Sequence, residues 1–129
     1  SLAEGQWENR TIHIVENNPS GYMLLKEILK SSKAKLLWSK DGDSALKDFF
    51  DHKNLDLVLL DMNVPKTSGF EVAMTMKSER PDIPVIAQTA YAISGERHKS
   101  IDAGCDDYIS KPIKIHELIY ILNKYLDSQ

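Results

Sequence analysis

Short apolar runs alternate with longer amphipathic segments from Thr11 to the end of the chain. The run Leu57-Val58-Leu59-Leu60 is continuously apolar, as a strand covered on both faces should be. Between the runs, apolar residues recur at helical spacing, so each intervening segment has one apolar stripe. This alternation predicts a parallel sheet with helices on both faces, which is an α/β fold. The predicted strands are residues 11–16, 34–39, 56–61, 83–89 and 106–110.

Residues 1–10 show no apolar period, and the chain starts with Ser rather than Met. We therefore expect residues 1–10 to be a linker or a leader added for expression, followed by one domain over residues 11–127. The length of 129 residues suits a single domain. Because the chain ends just after the last predicted helix, we expect a domain that was cut from a longer protein.

Composition narrows the class of protein. The chain has 16 Lys and Arg against 19 Asp and Glu, a net charge of -3, and no basic run interleaved with aromatic residues. Direct binding to nucleic acid is therefore not expected. The single cysteine, Cys105, excludes an internal disulfide, and no apolar stretch is long enough to span a bilayer. We expect a cytoplasmic protein whose domain makes no membrane contact.

Polar residues follow four of the predicted strands. Glu16 ends the first and Asn17 follows it, Asp61 ends the third, Thr89 ends the fourth and Lys111 follows the fifth. In an open parallel sheet, ligands collect beyond the carboxyl ends of the strands. A single Asp at a strand end commonly caps a turn, but turn chemistry does not require four strands to deliver such groups together. Such a set can hold a hard cation through oxygens while a hydroxyl and an ammonium group contact a phosphoryl group.

Four segments at these strand ends resemble the response-regulator receiver family in their order and spacing. The resemblance runs from Thr11 to Leu126 and implies a flavodoxin-like (βα)5 three-layer sandwich. Its five-stranded parallel sheet would have the order 2-1-3-4-5. The segments are Ile14-Val15-Glu16-Asn17-Asn18-Pro19, Leu59-Leu60-Asp61-Met62-Asn63-Val64-Pro65, Ala87-Gln88-Thr89-Ala90 and Asp107-Tyr108-Ile109-Ser110-Lys111-Pro112.

The resemblance implies that Asp61 accepts a phosphoryl group from a phosphohistidine with the help of Mg2+. Glu16, Asn17 and Asp61 match the side chains that hold the metal, and Asn63 matches the residue whose backbone carbonyl is a ligand. Asn17 departs from the family, which usually has a carboxylate at this position. An amide oxygen can coordinate Mg2+, but it lacks the attraction of a full negative charge.

The remaining matches concern catalysis and switching. Lys111 matches the invariant lysine of the family, and Thr89 matches the hydroxyl that hydrogen-bonds the phosphoryl group. Tyr108 matches the aromatic residue that changes rotamer with it, and Pro112 the proline of a cis peptide. A domain of this kind assists its own phosphorylation and dephosphorylation, so its status as an enzyme stays open.

The implied partner is the dimerisation and phosphotransfer domain of a histidine kinase or a histidine phosphotransfer protein. The stretches Glu16-Asn17-Asn18-Pro19 and Gln88-Thr89-Ala90-Tyr91-Ala92 look like receivers attached to hybrid sensor histidine kinases. The parent would then be a membrane-anchored kinase with this domain in its cytoplasmic part. Receivers also pair near their fourth and fifth helices, which leaves a homodimer open.

Two other functions compete with this interpretation. Asn17 favours a pseudo-receiver that binds a partner without being phosphorylated. A flavodoxin-like cofactor binder shares the fold class, but it would need a phosphate-binding loop after the first strand, and Asn17-Asn18-Pro19-Ser20-Gly21 is a poor one. The four histidines, which share no metal-ligand spacing, do not predict a zinc site. They are His13, His52, His98 and His116.

Overall fold

The computed structural model describes residues 2–90 and 96–127, except for the side chains of residues 96 and 97. Five strands form one sheet in the order β2-β1-β3-β4-β5, and all four strand pairs are parallel. The predicted α/β fold and its strand order 2-1-3-4-5 are confirmed. The strands are β1 Thr11–Val15, β2 Lys35–Ser39, β3 Leu57–Asp61, β4 Val85–Thr89 and β5 Asp107–Ser110.

A helix follows each strand. Side-chain caps explain where the first two helices begin: Asn18 accepts from the Ser20 amide at the start of the first helix, and Asp41 accepts from the Ser44 amide at the start of the second. Pro19 suits the first helical position because it has no amide hydrogen to leave unpaired. The helices are α1 Pro19–Leu29, α2 Gly42–Asp51, α3 Gly69–Glu79, α4 Glu96–Asp102 and α5 Ile115–Leu126, with a 3-10 turn over Lys30–Ser32.

Successive residues of the central strands face opposite layers of the sandwich. Leu57 and Leu59 of β3 pack beneath α1 and α5, whereas Val58 and Leu60 pack beneath α2 and α3. Every residue of β3 and β4 is buried. Burying one such aliphatic side chain stabilises the fold by roughly 1.5 to 3 kcal/mol. The central strands therefore provide a rigid base for the groups at their carboxyl ends.

The segment before β1 packs against the far end of α5. Trp7 is 1% exposed and lies in the same cluster as Leu122 and Leu126. Its indole Nε1 donates to Asp127 Oδ1 at 2.7 Å, and Arg10 Nη2 donates to the Leu126 carbonyl at 2.9 Å. The boundary between leader and domain at residue 10 stays a prediction, but Trp7 contributes to the core. In residues 2–90 and 96–127, no helix is long and apolar enough to cross a membrane.

Candidate functional site

Three charged side chains meet at the carboxyl edge of the sheet. Asp61 ends β3, Glu16 follows β1, and Lys111 follows β5. The Lys111 Nζ lies 2.7 Å from Asp61 Oδ2 and 3.1 Å from Glu16 Oε1, so one ammonium group bridges both carboxylates. Because β4 lies between β3 and β5, Lys111 reaches Asp61 across the end of β4. The predicted acceptor, metal and lysine positions therefore converge here.

The other oxygen of each carboxylate is held by the turn that follows its strand. Asp61 Oδ1 accepts from the Asn63 amide at 2.9 Å, and Glu16 Oε2 accepts from the Asn18 amide at 3.0 Å. Glu16 is 2% exposed and Asp61 is 5% exposed, so both groups have lost most of their contact with water. Hydrogen bonds to charged oxygens compensate for that loss and fix the direction of each carboxylate.

The charge of Lys111 depends on this pair. Partial burial by itself would lower the pKa of the ammonium group, but hydrogen bonds and charge attraction from Asp61 and Glu16 outweigh burial and raise the pKa above 10.5. Lys111 is therefore a permanent cation at physiological pH. It can balance one negative charge in the pocket, but not two.

The oxygen ligands at this edge fit a hard divalent cation. Two nearly buried carboxylates already share one positive charge, and Asn17 and the Asn63 carbonyl can supply neutral oxygens nearby. Asn17 is exposed, and its Nδ2 donates to the Lys40 carbonyl at 3.1 Å. Its amide oxygen is thus the atom that a cation can use. Within the described part of the chain, no three His, Cys, Asp or Glu side chains cluster as a metal site, so the carboxylate set here is a pair.

Thr89 and Tyr108 lie beside this pocket on the next two strands. Asp61 pairs with Gln88, so Thr89 lies one residue beyond Asp61 at the end of β4, where it is fully buried. Tyr108 of β5 pairs with Ala87 of β4, and its side chain packs against the cluster beneath α2 and α3. Strand alternation places Thr89 and Tyr108 on that same face. The peptide bond between Lys111 and Pro112 is cis. Tyr91 and Ala92 of the hybrid-kinase-like stretch lie outside the described residues.

Two residues of the site were missed from the sequence. A Cβ atom on Gly21 would lie 2.9 Å from Glu16 Oε1, so only glycine leaves that carboxylate undisturbed. Gln88 is fully buried in β4 beside Asp61. The signal for Gln88 was available, because an amide at the fourth position of a strand of buried type breaks the apolar pattern of Val85, Ile86 and Ala87.

A shallow groove opens next to the charged pocket. It has a volume of about 230 Å³ and is lined by Glu16 and Lys111 together with the apolar Leu24, Pro112 and Ile113. A larger groove, of about 510 Å³, lies between α1 and β2 and contains none of the charged residues of the site. Of these two grooves, the smaller one is therefore adjacent to the site, because it is lined by Lys111, which is hydrogen-bonded to Asp61.

Comparison with known proteins gives the same family from sequence and from structure. The family model described as response regulator receiver domain matches residues 12–123. The polar-differentiation response regulator DivK of Brucella anthropi is 34% identical over 119 residues, which cover 91% of this chain and 96% of DivK.

Two solved structures share the fold. The receiver domain of the sensor histidine kinase PA1611 from Pseudomonas aeruginosa PAO1 has a TM-score of 0.83 and 28% identity, with 92% of this chain and 98% of that chain covered. That crystal structure contains a magnesium ion coordinated in the active site cleft. The Ssk1 receiver domain of Saccharomyces cerevisiae, crystallised with the histidine phosphotransfer protein Ypd1, has a TM-score of 0.83 at 23% identity, with 90% and 88% covered. The chain belongs to the response regulator receiver domain family of two-component signalling.

Proposed function

We propose that this receiver domain accepts a phosphoryl group on Asp61, with Mg2+ as cofactor and a phosphohistidine as donor. One observation carries the proposal: the Lys111 ammonium bridges Asp61 and Glu16 at the carboxyl edge of the sheet, at 2.7 and 3.1 Å. A structural ion pair would need only one carboxylate. Two carboxylates with one lysine leave a net negative pocket, which a second cation can balance.

In the proposed step, an oxygen of the Asp61 carboxylate forms a bond to phosphorus while the bond from phosphorus to the imidazole nitrogen breaks. The imidazole leaves with the electron pair and takes up a proton, and the product is an acyl phosphate on Asp61. The transition state is loose and spreads charge over the equatorial oxygens, so positioning and charge neutralisation supply most of the catalysis. Lys111 contributes a fixed positive charge, and the Asn63 amide orients the attacking carboxylate.

Glu16, Asp61, Asn17 and the carbonyl of Asn63 are the groups we propose to hold Mg2+. When bound, this ion would neutralise charge on the transferring phosphoryl group. The magnesium ion in the PA1611 receiver supports the choice of metal for a relative at 28% identity. The two carboxylates of this site, both nearly buried, point to the same cation type.

We propose that Thr89 and Tyr108 change position in response to phosphorylation. Thr89 ends the strand beside Asp61, and Tyr108 lies on the same face of β5. A phosphoryl group carries roughly two negative charges and three acceptor oxygens, so it attracts a nearby hydroxyl group. Movement of Thr89 would open space for Tyr108 and change the surface near α4.

The proposed donor is the phosphotransfer domain of a histidine kinase or a histidine phosphotransfer protein. The groove beside Lys111 supports this, because Leu24, Pro112 and Ile113 offer apolar surface right next to the charged pocket. The Ssk1 receiver was crystallised with a protein of that type. We further propose that the domain is the cytoplasmic receiver of a hybrid histidine kinase, as the PA1611 receiver belongs to a sensor kinase.

A pseudo-receiver that binds a partner without phosphorylation is the second candidate. It is favoured by Asn17, whose amide nitrogen is bound to the Lys40 carbonyl and which brings no charge to the pocket. The two candidates differ in one measurable property, which is the covalent state of Asp61 after exposure to a phosphodonor.

Intact mass after incubation with a small phosphodonor and Mg2+ tests the proposal. We expect one added phosphoryl group, lost again in hydroxylamine as an acyl phosphate is. Asp61→Asn should add none, whereas Asp56→Asn, which removes a carboxylate at the opposite end of β3, should be labelled like the parent. No labelling of the parent would favour the pseudo-receiver, and equal labelling of Asp61→Asn would show that another residue is the acceptor.

A further inference from the structure

Gln88 is a polar residue in β4, where the three preceding residues, 85–87, are apolar. It is 0% exposed, and neither Oε1 nor Nε2 has a hydrogen-bond partner in residues 2–90 and 96–127. A buried amide without partners destabilises the state that contains it, because water no longer satisfies its donors and acceptor. An aliphatic residue would fill the same place without that cost.

The register of the sheet locates Gln88 beside the phosphoacceptor. Gln88 pairs with Asp61 on β3 and with Ile109 on β5. Ile86, two residues earlier, packs beneath α1 and α5, so alternation directs the Gln88 side chain to that same face. Leu59 also faces that layer, so Asp61, two residues further along β3, shares it, and Lys111 is hydrogen-bonded to Asp61. Gln88 therefore lies on the strand that Lys111 crosses to reach Asp61.

In the unphosphorylated state the charged groups satisfy one another. Lys111 is taken by Asp61 and Glu16, and the second oxygen of each carboxylate is taken by a backbone amide. Neither polar atom of the Gln88 amide is hydrogen-bonded to any of these three charged groups. A phosphoryl group on Asp61 adds negative charge and acceptor oxygens, so it must redistribute the bonds of Lys111 and of the Asp61 oxygens.

We propose that Gln88 is a positioning residue of the phosphoacceptor site, unpaired before phosphorylation and hydrogen-bonded after it. Its amide can donate to a carboxylate oxygen released by the rearrangement or accept from the Lys111 ammonium. Because these hydrogen bonds form only after phosphorylation, Gln88 stabilises the phosphorylated state relative to the unphosphorylated one. This inference rests on the proposed function, because it requires that Asp61 be loaded.

Beryllium fluoride, which forms a tetrahedral phosphoryl mimic on a carboxylate, tests the inference without turnover. Gln88→Met and Gln88→Leu remove the amide, and Ile86→Met places the same new side chain on the same face of β4 without removing a polar group. We expect the beryllium fluoride concentration for half-saturation, with Mg2+ present, to rise about three- to ten-fold in both Gln88 variants and to stay unchanged in Ile86→Met. Without ligand, the Gln88 variants should be as resistant to urea as the parent or more so.

A residue that only fills space would shift the stability of both states equally and leave the half-saturation concentration alone. The parent protein provides a second readout that needs no variant to fold. The side-chain amide signal of Gln88 in a nitrogen-proton NMR spectrum should move downfield on loading and gain protection from exchange. An unmoved signal, or half-saturation in the Gln88 variants within about two-fold of the parent, overturns the inference.

The outcomes separate this inference from the function beneath it. A parent chain that takes up neither beryllium fluoride nor a phosphoryl group overturns both. A parent chain that loads on Asp61 while Gln88 shows no change overturns the role of Gln88 alone. A water molecule that satisfies the amide in both states would give this second result.

Discussion

The indole of Trp7 donates to Asp127 Oδ1 at 2.7 Å and thereby joins the segment before β1 to the end of α5, 120 residues further along the chain. The Trp7 ring is buried among the residues of the cluster beneath α1 and α5. The groove and the charged pocket lie at the carboxyl edge of the sheet, whereas this contact precedes β1 at the opposite edge. It can therefore affect stability without touching the site.

Replacing Trp7 with Ala should destabilise the protein by about 3 to 5 kcal/mol, because the substitution empties a large buried volume. Trp7→Phe should cost less, since it keeps most of the buried area and loses mainly the bond to Asp127. Urea denaturation followed by circular dichroism measures both. A Trp7→Ala protein as stable as the parent would support residues 1–10 as an unstructured leader, which is what the sequence pattern predicts.

His13 gives stability a dependence on pH. Ser39 Oγ donates to Asp48 Oδ2, so it must accept from His13 Nε2, and His13 Nδ1 has no partner among the residues that the structure describes. Burial lowers the pKa of His13 to about 4; Asp48 opposes this shift, and His52 and Arg80 add to it. In the unfolded chain the pKa is close to 6.5. The unfolded state thus binds more protons between these two values.

The contribution of His13 is therefore fully present above pH 6.5 and is lost as the pH falls toward 4. The loss should amount to about 2 to 3 kcal/mol of unfolding free energy at about pH 4.5. His13→Leu should remove this part of the slope, whereas His116→Leu, the same change at an exposed histidine of α5, should leave it. Parallel slopes for the parent and His13→Leu would show that His13 titrates normally.

Much of this fold could be predicted from the sequence, but less of the site could. The run from Leu57 to Leu60 located β3 because a short, continuously apolar segment is typical of a strand that is covered on both faces. The start of β4 was placed two residues early, since Ile83 and Pro84 are buried but lie before the first strand residue, Val85. Trp7 was missed because a single buried residue in a polar segment produces no period.

The contacts of the site depend on which strands are neighbours, and chain order alone does not show this. Lys111 follows the fifth strand, yet it bridges the ends of the third and the first. The rule for parallel sheets and the resemblance to receivers both placed these groups at one edge, but neither showed that one lysine bridges both carboxylates. Hydrogen-bond satisfaction is equally invisible in sequence, so only three-dimensional contacts could show that the Gln88 amide has no partner among the described residues.

Replacing Lys111 with Met should leave two nearly buried carboxylates without their shared cation. Removing one partner of a buried ion pair costs about 3 to 5 kcal/mol of stability. The loss in Lys111→Met should be smaller, because the Lys111 side chain is partly exposed and water screens the pair. Added Mg2+ should restore more stability to Lys111→Met than to the parent, because the metal replaces the missing charge. Lys47→Met, which removes an exposed lysine paired with Asp51, should change little with or without Mg2+. Equal responses of Lys111→Met and the parent to Mg2+ would argue against a metal site at Glu16 and Asp61.

Asn17 is the position where one added charge should strengthen the proposed metal site. A carboxylate there would add an attraction to Mg2+ of roughly a few kcal/mol at an effective dielectric near 20. In the metal-free protein, repulsion between the new carboxylate and those of Glu16 and Asp61 would lower the stability of the fold. Bound Mg2+ would relieve that repulsion, which increases the free energy gained on binding. Asn17→Asp gives up the bond from Nδ2 to the Lys40 carbonyl, which is exposed and therefore worth little.

Asn17→Asp should therefore bind Mg2+ more tightly and need less of it for half-maximal labelling of Asp61. Trp38 can report the binding by fluorescence, because its Nε1 donates to the Glu16 carbonyl at 2.9 Å. Asn18→Asp is the matched control: it adds the same charge one residue away, at the cap of α1, where the side chain accepts from the Ser20 amide. The control should shift the titration less, because its oxygen is committed to the helix. If Asn17→Asp and Asn18→Asp shift the Mg2+ titration equally, the effect comes from net charge alone and Asn17 lies outside the metal site.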